Sequence, residues 1–300
     1  MSLVLGSGGA RGLAHIGVIR YLDESGYRIR SISGCSMGAL VGGIYAAGKL
    51  DEYEKWVCAI DRVDILSLLD FSWQSSGLVK GEKLMNVLRG LVGDCEIEEL
   101  PIPFTAVATD FEAEREVWIQ TGGLFDAIRA SMSLPLFFTP SERDGRRLID
   151  GGVLNPVPIA PTFSDTNDMT IAVNVSGAVG DHQQPRADQE TGHTLPRDDR
   201  SGRDDGTDEA SDMRRKVGEF IDSLRDRFTR EPDAGELDML EIANQAFDAM
   251  QGAISRYKLA AYPPDEVITI PRNVATIVEF DRAAELIELG YEAARRQLCD

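Results

Sequence analysis

Histidine is almost missing from this chain: His15, His182 and His193 are its only three in 300 residues. A Ser-His-Asp triad needs an imidazole, and these three offer little choice. His15 falls on the first helical pattern, where packing or solvation of a helix end is the expected job. The other two lie in a polar stretch. Lysine is scarce as well, with six residues (Lys49, Lys55, Lys80, Lys83, Lys216, Lys258) against 50 acidic side chains, and the formal net charge is −19. Such a surface repels nucleic acid and anionic lipid headgroups at low salt, so no nucleic-acid partner is expected. The same imbalance suits a protein adapted to molar cytoplasmic salt, where screening shortens self-repulsion to about 3 Å. An ordinary acidic protein with an acidic insert is the alternative reading. A run of about 18 apolar residues is lacking, so no spanning helix is expected. The basic and apolar regions of a signal peptide are lacking too. Cys35, Cys58, Cys95 and Cys299 show no Cys-x-x-Cys spacing; they read as reduced thiols of a cytosolic protein, with peripheral contact at the inner membrane surface left open. Aromatic residues are 7% of the chain and apolar ones 43%, which predicts a core of Leu, Ile, Val and Ala.

What is present is alternation. Strands are expected at Leu3–Leu5, Arg30–Ser33, Phe104–Thr109, Val117–Gln120, Arg147–Ile149, Thr170–Val175 and Val267–Ile270. Helices are expected at Leu13–Ser25, Ala39–Ala47, Asp51–Ala59, Gly81–Leu91, Leu124–Ser131, Met213–Phe228, Leu237–Ala260 and Phe280–Leu298. Strand-helix repetition of this kind predicts an α/β fold, three-layer α/β/α with a mainly parallel central sheet. Reacting groups then belong at the carboxyl ends of strands.

Three glycine-bearing motifs occupy such ends. Gly34-Cys35-Ser36-Met37-Gly38 sits between a strand and a helix, where a sharp turn lifts the Ser36 hydroxyl free of the backbone and Gly34 and Gly38 relieve crowding. Gly6-Ser7-Gly8-Gly9-Ala10-Arg11-Gly12 follows the first strand and aims backbone N–H groups at one point. It fits neither Gly-x-Gly-x-x-Gly nor Gly-Lys-Ser/Thr, so oxyanion donation from Gly8, Gly9, Ala10 and Arg11 is the preferred reading, with a plain tight turn as the alternative. Asp150-Gly151-Gly152 ends a short strand. Without a good imidazole, a partly desolvated carboxylate can act as the base, and Asp150 is the candidate.

Taken together, Gly8–Gly12, Gly34–Gly38 and Asp150–Gly152 resemble the patatin-like phospholipase family. Ala130–Phe138 and Asn155-Pro156-Val157-Pro158 match further stretches of it, and the similarity covers residues 1–176 well and 213–297 more loosely. Ser7 departs from the family, many of whose members carry a further glycine there. The resemblance implies a Ser-Asp dyad acyl hydrolase acting on lipid or other acyl esters, with Ser36 as nucleophile, Asp150 as base, the Gly8–Arg11 turn as oxyanion hole and Gly12, Gly151 and Gly152 as supporting positions. No metal or organic cofactor is required. An acyltransferase on the same dyad and a non-catalytic regulatory or binding protein retaining the fold are the competing functions.

The remaining segments divide the chain. Residues 1–176 read as the catalytic core, 177–211 as a polar, disordered insert, and 212–300 as the helical completion of the same domain with one late strand. Ile65–Trp73 is apolar enough to be core or a lip that meets an acyl chain. Apolar stripes through Val217, Phe220 and Phe228, and through Leu240, Phe247 and Ile254, read as a helical layer, with a homo-oligomer face as the sharper option.

Overall fold

A computed structural model describes residues 1–60, 64, 68, 79–135, 137–180 and 239–299. The expected strands Leu3–Leu5 and Arg30–Ser33 become β1 (Ser2–Leu5) and β2 (Ser31–Cys35). They are followed by β3 (Phe104–Asp110), β4 (Arg115–Ile119), β5 (Ser141–Arg143), β6 (Arg146–Asp150), β7 (Thr170–Gly177) and β8 (Glu266–Pro271). The helices are α1 (Ala14–Glu24), α2 (Met37–Ala46), α3 (Leu50–Ala59), α4 (Glu82–Val92), α5 (Leu124–Ser131), α6 (Met239–Ala261) and α7 (Ala283–Leu298). Two units emerge, one of Met1–Gln184 with Asp248–Asp300 and one of Pro185–Phe247. The sheet and the site belong to the first; of the second, the described part is the opening turns of α6. The expected helix Met213–Phe228, most of the insert, the apolar run Ile65–Trp73 apart from Leu68, and both His182 and His193 lie outside the described residues.

The sheet runs β5-β6-β3-β2-β1-β7-β8, with β4 paired to β3. From β3 to β8 the strands are parallel. Side chains alternate across it as strand geometry requires. Leu3 and Leu5 of β1, with Ile32, Phe104, Ala106, Ile171 and Val173, join the large core shared with α1, α2, α5 and α7. Val4 and Ala172 point the other way and pack with Val157, Ile159 and Leu259 of α6. Helices and loop thus cover both faces, and the fold is three-layer α/β/α around a mostly parallel sheet.

Two differences from the sequence reading matter. Strand β5 is unexpected, because Ser-Glu-Arg has no apolar alternation. It exists as the partner of β6 across a tight turn at Asp144 and Gly145, both with positive φ (50° and 72°). That Asp-Gly pair is the usual sequence signature of a two-residue hairpin. Second, β6 runs antiparallel to β3. Along one edge of β3, Val107 is partnered by Cys35 of β2, and the next residue, Ala108, by Asp150 of β6. Strand β6 therefore enters from beyond the end of β2 and stops against it, which delivers Asp150 to the residue beside Ser36.

Candidate active site

Ser36 occupies the single-residue step between β2 and α2, with φ 55° and ψ −123°. A side chain at positive φ carries strain of about 1–3 kcal/mol, so the surroundings must enforce it. They do so from several directions. The Ser36 N–H donates to Ser131 Oγ at 2.9 Å, and that hydroxyl donates onward to the Val107 carbonyl at 2.6 Å. A Cβ on Gly38 would lie 2.1 Å from the Leu5 carbonyl oxygen, so only glycine lets the head of α2 press onto the end of β1. The Ser36 side chain then sits at the N-terminus of α2, where the helix dipole favours negative charge.

Asp150 is fully buried. Its N–H donates to the Ser133 carbonyl at 2.9 Å, and its Oδ1 accepts from the Gly152 N–H at 2.7 Å. The Cys35 thiol lies 3.8 Å from the same oxygen. Oδ2 has no hydrogen-bond partner. Burial raises the Asp150 pKa to about 6; the Ser36 hydroxyl is the largest influence in the opposite direction, followed by the Gly152 N–H and the Cys35 thiol. The Ser36 hydroxyl is therefore near enough to lower the pKa of the carboxyl, while Oδ2 keeps no hydrogen-bond partner. Gly151 and Gly152 make that approach possible, since a Cβ would sit 2.1 Å from the Val107 carbonyl oxygen in one case and 2.6 Å from Ser7 Oγ in the other.

The glycine turn after β1 leads into a 3-10 helix, Gly9–Leu13. In such a helix the cap and the first two residues have N–H groups without intrahelical partners, here Gly8, Gly9 and Ala10. The Ala10 N–H donates to the Ile277 carbonyl at 3.0 Å. The four donors expected from sequence thus narrow to two. Ala10 is engaged elsewhere, and Arg11 already lies at a position where its N–H turns back along the helix. Gly8 and Gly9 keep theirs. Gly12 packs against Met37, so the turn and the elbow touch directly.

Sequence reasoning missed the scaffold that holds the pair. Ser131 anchors the backbone of Ser36, and the Ser133 carbonyl anchors that of Asp150, so one stretch at the C-terminal end of α5 positions both. The run Ala130–Phe138 stands out in sequence only through its likeness to the family. His15 was expected to pack or to meet solvent, and it packs. It is fully buried, with Nε2 2.8 Å from the Gly6 carbonyl, and Nδ1 has no partner. Among the described residues no group of three or more His, Cys, Asp or Glu side chains could hold a metal ion. Nor is any described helix long and apolar enough to cross a membrane. All four cysteines are free, Cys35 buried and Cys58 and Cys299 exposed.

His15 makes a testable contribution to stability. Burial pushes its pKa down from 6.5 to about 4, against the smaller upward effect of the Gly6 hydrogen bond. Between these values the unfolded chain binds more protons than the folded one. The favourable contribution is therefore complete above pH 6.5 and fades as pH falls toward 4, by up to about 3 kcal/mol. Denaturant midpoints measured from pH 7 to 4.5 should fall more steeply for the natural chain than for His15→Gln; parallel curves would refute the assignment.

A model of the patatin-like phospholipase family matches residues 3–163, about half of the chain. An uncharacterized NTE family protein of Mycobacterium tuberculosis is 39% identical over 329 aligned residues, covering 99% of this chain and 91% of its own. A homologue in Mycobacterium bovis matches to the same extent. The neuropathy target esterase of Drosophila melanogaster is 32% identical over 165 residues, covering 53% of this chain and 12% of its own length. Among solved structures, VipD from Legionella pneumophila shares the fold with a TM-score of 0.50 at 15% identity, over 99% of this chain and 66% of VipD. The chain belongs to the patatin-like phospholipase family, a family of serine hydrolases acting on ester bonds.

Proposed function

We propose that this protein is an acyl hydrolase that cleaves acyl esters of lipids through Ser36 and Asp150 by way of an acyl-enzyme. The observation that carries the reading is the buried Asp150 carboxyl, raised to about 6, with Oδ2 unpartnered and the Ser36 hydroxyl near enough to act on its charge. A carboxylate with that pKa is mostly ionised at neutral pH and still basic enough to accept a hydroxyl proton in the transition state. Asp150 takes the proton as Ser36 Oγ attacks the ester carbonyl. The N–H groups of Gly8 and Gly9 receive the oxyanion, each worth about 2.7–4 kcal/mol in comparable sites. As the tetrahedral intermediate collapses, the carbon–oxygen bond to the alcohol breaks and Asp150 returns the proton to that oxygen. Water then adds to the acyl-enzyme with Asp150 again as base, releasing the acid and restoring Ser36.

The free thiols fit a cytoplasmic protein, and any contact with an anionic membrane surface has to overcome the repulsion of a net charge of −19. The direct test is a serine-directed fluorophosphonate probe followed by mass mapping. The expected result is one modified peptide carrying Ser36. A folded protein left unlabelled would mark a non-catalytic scaffold, and a label on another serine would move the nucleophile.

A further inference from the structure

We propose that Asp248, acting through the Arg11 guanidinium, is a positioning residue that sets the direction of the Gly9 N–H in the oxyanion turn. The inference rests on the reading of Ser36 as nucleophile and of Gly8 and Gly9 as oxyanion donors. The Arg11 side chain is only 1% exposed, and each of its nitrogens is engaged. Nε donates to the Gly8 carbonyl at 3.2 Å and one terminal nitrogen to the Arg272 carbonyl at 2.9 Å. Both terminal nitrogens reach Asp248, at 2.8 and 3.4 Å. Among the described residues Asp248 is the one carboxylate within ion-pair distance of Arg11. A buried guanidinium stays in place only with such a countercharge.

The consequence for the turn follows from peptide geometry. The bond between Gly8 and Gly9 is trans and planar, so its C=O and N–H point in opposite directions. Holding the Gly8 oxygen toward Arg11 therefore turns the Gly9 N–H away from it. Two glycines in sequence give that peptide little stiffness of their own, so the guanidinium adds to the single 3-10 helical bond that the Gly8 carbonyl accepts. Helix α6 supports the turn at a second point, one helical turn on from Asp248, where Gln251 Nε2 donates to Ser7 Oγ at 3.2 Å. Asp248 lies outside the residues 3–163 that match the family model. The oxyanion donors are thus set by a residue 237 positions from the arginine it holds.

In the full chain, Asp248→Asn should lower kcat for a p-nitrophenyl ester by about 10- to 100-fold with KM changed less than about twofold, as expected when a transition-state contact is misdirected. The Gly9 amide resonance should move in the nitrogen-15 spectrum, and Asp248→Glu should restore much of both. Arg11→Lys keeps the charge but loses the fork, and should show the same split if Asp248→Asn folds poorly. Glu54→Gln, which removes a surface partner of Arg20, serves as the control for loss of an ion pair alone. Wild-type kcat with an unmoved Gly9 resonance in folded Asp248→Asn or Arg11→Lys overturns the proposal, as does a kcat loss that only tracks the unfolded fraction. Should the natural chain hydrolyse no ester, the nucleophile reading fails, while the Gly9 resonance still decides whether Asp248 orients the turn.

Discussion

Ser36→Ala should reduce turnover of a short-chain p-nitrophenyl ester by at least about 10⁴-fold while leaving the protein folded. Among the described residues no hydrogen bond of normal length ends on the hydroxyl, and alanine inherits the same strained φ of 55°. Stability should therefore change little. Ser36→Gly should be equally inactive but more stable, because glycine adopts that conformation without the steric cost, a gain of about 1 kcal/mol. The pair of variants separates two things the elbow does: it stores strain, and it presents an oxygen. Retained turnover in either purified variant would remove Ser36 from the chemistry.

Asp150→Asn carries the second large effect, and here activity and stability should move in opposite directions. Turnover should fall by about 10³-fold or more, since an amide cannot accept the Ser36 proton. The folded carboxyl titrates near 6 against 3.8 for the free group, mainly because burial disfavours its charge. With the folded pKa raised, the folded chain binds more protons across that window, so the cost of the buried charge grows from pH 3.8 to 6 and is complete above it. Asparagine avoids this cost and can still accept from the Gly152 N–H. Above pH 7 the variant should accordingly be more stable than the natural protein by about 2–3 kcal/mol, a difference that vanishes toward pH 4. The same titration gives kcat/KM of the natural enzyme an acidic limb with a midpoint near pH 6. A destabilised Asp150→Asn at pH 8, or a profile flat from pH 5 to 8, would contradict the assignment of Asp150 as a desolvated base.

His15 and Asp150 pull stability in opposite directions over much the same pH range. The buried imidazole disfavours acid, and the buried carboxyl disfavours its own ionisation. Single variants are therefore needed to see either effect, because the natural chain reports their difference.

Much of this was legible in the sequence wherever a local rule sufficed. Strands β1, β3 and β7 and helices α1, α2 and α5 follow from apolar runs and helical spacing within a few residues of their ends. Glycine at 38 and 151 marks places where another backbone must come close, and each meets one; at 152 the Gln251 and Ser7 side chains come close instead. Short polar β5 escaped because pairing with β6, and not its own side chains, makes it a strand. The glycine turn after β1 was legible as a segment, yet which of its N–H groups stay unengaged could not be counted, since the Ile277 carbonyl that engages Ala10 is 267 residues away.

The amino-acid sequence alone determined the family, the α/β class and the three motifs, because elbows, glycine turns and strand alternation are written in neighbouring residues whose backbone preferences act locally. Only the tertiary structure decided that β6 runs antiparallel into the end of β2, that Ser131 and Ser133 brace Ser36 and Asp150, and that Asp248 grips Arg11. Those arrangements rest on hydrogen bonds and an ion pair between segments far apart in the chain. Their partners are chosen by where the packed sheet brings them, and no local pattern carries that information.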